Sequence, residues 1–201
     1  MSDIFPTSQI AGARIQPIYQ VAFSESLSGK LRQRDLGGSY FQISLDLNGM
    51  NIQRARVVQG FLARYIGSSF KLKHPLISNN SAKYTGTMIV DGANQTGDTV
   101  QVDSLPANTL VLKSGDYIRF SNHLKVYMVT EDIVSNGSGI AELKISPNLI
   151  DTIADDEPVL INDVDWTVAT LGNVNGLDLT NRFPAGILGN NTVSIELREA
   201  F

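Results

Sequence analysis

Apolar and polar residues alternate with a period of two along much of this chain, the pattern of strands that bury one face. The densest example is Pro106 to Asn148, where three or four short apolar runs are separated by loops of Gly, Ser, Asn and Pro. Leu110, Leu112, Tyr117, Ile118, Phe120, Val126, Met128 and Val129 supply its apolar groups. Ser114-Gly115-Asp116 and Ser135-Asn136-Gly137-Ser138-Gly139 are the reversals, since Gly accepts the positive φ of tight turns and Asp bonds to its own backbone. The stretch predicts a compact β unit.

Upstream, Ile15 to Leu27 predicts a strand after a loose leader, with Tyr19, Val21 and Phe23 on one face. Gly29 to Gly38 predicts a loop whose Lys30, Arg32 and Arg34 form a basic cluster, read as a solvated hairpin tip or a subunit contact rather than a phosphate site. Ser39 to Leu47 alternates again, with Phe41, Ile43 and Leu45 inward. From Asn51 to Ile66 the period changes. Ile52, Ala55, Val58, Leu62, Tyr65 and Ile66 recur at spacings of three and four, which predicts one helix packed on the preceding sheet, with Arg54, Arg56 and Arg64 off the apolar stripe. Asn48 or Asn51 can cap its start and Gly67 can stop it. Ser69 to Lys73 predicts a short strand.

Beyond His74-Pro75, the polar run Ser78 to Ser81 predicts a linker. Lys83 to Asp91 and Thr99 to Val102 add two strand candidates around the loop GANQTGD. Five or six short strands with almost no helix predict a small barrel, because closing the sheet removes long exposed edges. Pro158 to Ile161, Asp165 to Leu171 and Thr192 to Arg198 read as strands, and Gly172 to Gly189 as loop.

Charge sharpens this division. Residues 1–82 hold nine Lys/Arg against four Asp/Glu, residues 83–164 five against twelve, and residues 165–201 two against four. A basic first part and an acidic middle imply surfaces that meet different neighbours. The chain has 201 residues, enough for one large or two small domains, and no cysteine, which removes disulfides, thiolate metal sites and a cysteine nucleophile. No apolar run approaches the roughly 20 residues that span a bilayer. The start, MSDIFPTSQI, lacks the features of a secretion signal, so cytoplasmic synthesis and a soluble product without membrane insertion are expected.

Candidate chemistry is sparse. His74 and His123 are the two histidines, and each reads as a loop residue rather than a general base. Motifs for a nucleophile elbow, a phosphate loop or paired metal-binding histidines are absent, so the chain is expected not to be an enzyme and to use no cofactor or metal. Asp151, Asp155, Asp156 and Glu157 lack the spacing of a calcium loop and predict a solvated acidic loop. Tyr117, Tyr127 and Trp166, the last being the single tryptophan, are the candidates for stacking on a saccharide, although core packing is commoner for a lone Trp. Specific nucleic-acid binding is not expected, because single-strand binders pair aromatics with a basic groove and the middle of this chain is acidic.

The segments SGDYIRFSNHLKVYMVTEDI, AELKISPNLI, EPVLIND and NNTVSIELREAF resemble the distal tail protein (Dit) family of long-tailed siphophages, the likeness being best from about Leu110 to Phe201. The resemblance implies a β-sandwich ring domain with one helix from residues 1–82 and 166–201, and an inserted small OB-like β-barrel from residues 83–165. It also implies a virion protein of the tail tip, a homohexameric ring through which DNA passes, joined to tube, collar and hub proteins. The alternative it leaves open is a carbohydrate-binding module, the barrel assisting host attachment through cell-surface saccharide.

Overall fold

The computed structural model describes residues 3–47, 52–73, 75–171 and 193–201. It is mainly β, and its contacts divide it into two compact units: Met1–Gln16, Gln42–Asn79 and Asp163–Phe201 form one, Pro17–Phe41 and Asn80–Asn162 the other.

The first unit is built on five strands: β1 (Ile10–Ile18), β4 (Tyr40–Leu47), β5 (Phe70–Leu72), β14 (Trp166–Thr170) and β15 (Val193–Glu199). Their order across the sheet is β1-β4-β15-β14-β5. The carboxyl-terminal strand is central because its inward residues, Ile195 and Leu197, meet the alternating inward set of β4, Ile43, Leu45 and Leu47. Six paired positions, from Val193↔Leu47 to Arg198↔Gln42, fix that register, and a slip of one residue would turn every one of these side chains to water.

Helix α1 (Ile52–Arg64) buries Ala55, Val58 and Leu62 and leaves Arg54, Arg56 and Val57 exposed. Phe5 stacks on Phe70 at 5.9 Å, and Phe61 of α1 meets both edge-on at 5.6 and 5.2 Å, the offset and T-shaped geometries that aromatic quadrupoles favour. The apolar stripe ends one residue sooner than its spacing predicts. Ile66 is 61% exposed because the helix stops at Arg64 and a turn into Gly67, at φ +75, carries Ile66 away from the sheet. The proposed caps Asn48 and Asn51 lie outside the described residues, as do His74 and the 172–189 stretch.

The second unit is a six-stranded sheet of order β13-β9-β10-β12-β7-β6, from β6 (Ile89–Val90), β7 (Thr99–Asp103), β9 (Tyr117–Phe120), β10 (Val126–Val129), β12 (Ala141–Ser146) and β13 (Val159–Leu160). Its two outer strands meet: Val159 N donates to Met88 O at 2.9 Å and Val90 N to Glu157 O at 3.0 Å. The sheet is therefore a nearly closed barrel. Met88, Val90, Val100, Val102, Ile118, Phe120, Tyr127, Val129, Leu143 and Ile145 fill it at 2% exposure or less. A short ladder of β8 (Leu110–Leu112) with β11 (Ile133–Val134) lies outside that order. Gly139, at φ +76, is needed where it stands, since a β-carbon there would drive into the Leu105 carbonyl oxygen.

Three local differences from the sequence pattern have physical causes. The loose leader contains β1, and the strand expected over Ile15 to Leu27 is broken at Tyr19-Gln20 into β1 and β2 (Val21–Glu25). The loop expected over Gly29 to Gly38 contains β3 (Leu31–Asp35), a strand with no periodic burial to reveal it, because its described side chains are exposed on both faces. Lys83 to Asp91 is strand only at Ile89–Val90. Upstream, the backbone of Tyr84 is taken by asparagine side chains instead of a ladder.

Candidate functional site

Two stretches of chain join the barrel to the rest, and polar side chains fix them side by side. Asn80 donates through Nδ2 to Tyr84 O at 2.7 Å, to Asn162 Oδ1 at 2.8 Å and to Ile161 O at 3.3 Å, and its Oδ1 accepts from Tyr84 N at 3.1 Å. Asn162 Nδ2 donates to Tyr84 O at 2.7 Å. One residue pair 82 positions apart thus ties the start of the barrel to its end. In the first unit, Val164 N donates to Ser78 O at 3.0 Å and Trp166 Nε1 to Ile77 O at 3.1 Å.

Buried carboxylates anchor the barrel's turns. Asp116, 3% exposed, accepts from Lys113 N and Ser81 N, both at 2.8 Å. Glu157, 4% exposed, accepts from Asn122 N at 2.7 Å. This corrects the reading of residues 151–157 as a wholly solvated acidic loop: Asp151, Asp155 and Asp156 are exposed, but Glu157 turns inward to satisfy a backbone donor. A charged acceptor aimed at backbone N–H groups is among the stronger protein hydrogen bonds, which offsets the cost of burial.

The three aromatic candidates occupy different surroundings. Trp166 belongs to the first unit and is fully buried. Tyr127 is fully buried in the barrel, edge-on to Phe120 at 5.6 Å, with its hydroxyl 3.3 Å from His123 Nδ1 and accepting from Ile150 N at 3.4 Å. Tyr117 is on the neighbouring strand, in register with Met128, one position out of step with the Tyr127↔Ile118 pair. Strand alternation therefore sends Tyr117 to the opposite face, where it is half-buried and meets Phe41 edge-on at 5.7 Å.

Burial, and secondarily the nearby Tyr19, push the Tyr117 hydroxyl above the ordinary tyrosine pKa of 10.0. The folded chain then holds its proton where the unfolded chain has lost it. Stability from this group is complete below pH ~10 and is lost as pH climbs through the folded value. Urea midpoints between pH 9 and 11 are expected to fall less steeply for Tyr117→Phe than for the parent. Parallel curves would show that the hydroxyl does not contribute.

No group of three or more His, Cys, Asp or Glu among the described residues is placed to hold a metal ion. None of the described helices is long and apolar enough to cross a membrane. Sequence reasoning placed Asp116 in a turn and Asn80 in a linker, and passed over Asn162, the long-range partners of all three and the inward turn of Glu157, because polar residues in loops carry no periodic signal.

Comparison with curated proteins gives no match. Residues 80–164 match the family described as Distal tail protein pb9, B domain. Those limits coincide with the barrel, from Asn80 to just past Asn162. Residues 80–164 are thus similar to the B domain of a distal tail protein, and that match supports a phage distal tail (Dit) family assignment.

Proposed function

We propose that this chain is the distal tail protein of a siphophage, a non-enzymatic subunit made in the bacterial cytoplasm and built into the tail tip of the virion. Six copies form a ring that joins the tail tube to the tip or baseplate and contacts tube, collar and hub proteins. Residues 1–82 and 166–201 form the sandwich-type ring domain, and residues 83–165 an inserted OB-like barrel that faces those outer partners. The observation that carries this reading is the B-domain match over residues 80–164.

The five-stranded sheet supplies material for a ring. Strand β1 is nine residues long and stands at its edge, with no ladder on its outer side among the described residues. The opposite edge, β5, is capped: Ile4 bridges Lys71, Phe5 N donates to Lys71 O at 2.8 Å and Lys71 N to Asp3 O at 2.9 Å. The open edge supplies one half of a contact, and a head-to-tail ring pairs it with a different patch of the next copy.

Light scattering and negative-stain images of the purified chain are expected to give rings of six times the 21.9 kDa subunit, and antibody labelling is expected to decorate one end of isolated tails. A chain that stays monomeric at every concentration, with label elsewhere on the virion, would overturn the proposal. The saccharide alternative retains Tyr117 as its half-exposed ring; a glycan screen against the full chain, repeated with Tyr117→Ala, tests it.

A further inference from the structure

Strands β2 and β3 form a ribbon of their own, five ladder pairs from Val21↔Asp35 to Glu25↔Leu31, with no third strand beside them among the described residues. An isolated two-stranded ribbon is at best marginally stable in water. This one also exposes large apolar groups: Phe23 is 64% exposed, Leu31 66%, and Leu27 at the turn fully so. A ribbon of this kind gains stability from a surface that braces it.

The ladder also sorts its charges. Arg32 stands opposite Ser24 and Arg34 opposite Ala22, while Phe23 faces Gln33 and Leu31 faces Glu25. Strand alternation then puts Arg32 and Arg34 on one side, with Ser24 and Ala22, and Phe23 and Leu31 on the other, while Lys30 adds a third cation just ahead of β3. Among the described side chains none of the three cations forms an ion pair within its own copy.

The barrel carries the complement. Between Lys83 and Lys113, and again between Lys144 and Arg182, the sequence has acidic residues and no Lys or Arg. The fold brings these two stretches together: Gly92 N donates to Asp155 Oδ1 at 2.7 Å, Asn94 N to Ile153 O at 2.8 Å and Leu149 N to Gly97 O at 2.7 Å. Asp91, Asp98, Asp151, Asp155 and Asp156 are exposed on the resulting surface.

From these two surfaces, and resting on the ring reading above, we infer that the basic side of the β2–β3 ribbon of one copy docks on the acidic 91–98 and 149–156 loops of the next copy. The two surfaces belong to one chain but are different patches, so the contact is head-to-tail and propagates around a ring. Charge selects this partner, because apposing like charges is strongly unfavourable.

The test is a charge exchange on the full chain. Arg32→Glu with Arg34→Glu, and separately Asp91→Lys with Asp151→Lys, are each expected to weaken ring formation about ten-fold or more, and added salt to weaken the parent's rings. Mixing the two variants is expected to restore rings of alternating copies, and so is combining all four changes in one chain. Circular dichroism confirms that each variant folds. If the parent forms rings and either variant does so equally well, or the mixture fails to, the docking is wrong and the ring reading stands. A parent that never forms rings sinks both.

Discussion

Alanine in place of Trp166 is expected to destabilise the first unit by about 3–5 kcal/mol, the range for emptying a buried aromatic site. The ring is fully buried on β14, in register with Leu72 of β5, and its Nε1 donates to Ile77 O. Truncation would leave a cavity and also strip that carbonyl of its indole donor. Phenylalanine restores most of the volume without the N–H, so Trp166→Phe is expected to recover more than half of the loss. Urea unfolding followed by far-ultraviolet circular dichroism measures all three proteins. A Trp166→Ala chain as stable as the parent would mean that the ring packs nothing, and would return it to the pool of ligand-binding candidates.

Asn80→Asp is expected to be costlier than Asn80→Ala, although aspartate is the closer match in shape. The Asn80 amide nitrogen faces three acceptors, Tyr84 O, Ile161 O and Asn162 Oδ1. A carboxylate would turn a donor into a second negative oxygen at that spot, for an expected loss of about 2–4 kcal/mol against a smaller loss for alanine. The order of the two is the diagnostic outcome. Equal losses would indicate that Asn162 rotates to take over both roles. Hydrogen exchange at Tyr84 and Asn162 locates the change to the place where the chain enters and leaves the barrel.

The period-two pattern made β4, β7, β9, β12, β14 and β15 legible, because each buries one face and its residues must alternate to do so. Helix α1 was legible for the matching reason at its own period. Strand β3 was not: Leu-Arg-Gln-Arg-Asp pairs with β2 but buries neither face, and burial is what writes a pattern into a sequence. Ile66 continued an apolar spacing past the point where Gly67 had already ended the helix.

The candidate site was legible in kind more than in detail. Nothing in residue type separates Tyr127, sealed in the barrel, from Tyr117 one strand over and half in water; only the register does. Glu157 looks in sequence like its solvated neighbours Asp155 and Asp156, and its partner Asn122 is 35 positions away. The Asn80–Asn162 pair is more distant still. Such long-range polar contacts have no local signature, and the charge runs that mark the docking surfaces were visible while the faces they share were not.

The 3.0 Å bond between Val164 N and Ser78 O has a corollary for deletion of the barrel. Because the first unit already brings these two backbone positions into contact, a few-residue turn can bridge them, and closing so short a loop costs little entropy. Loss of residues 79–163 is accordingly expected to leave the first unit's own strand pairing intact.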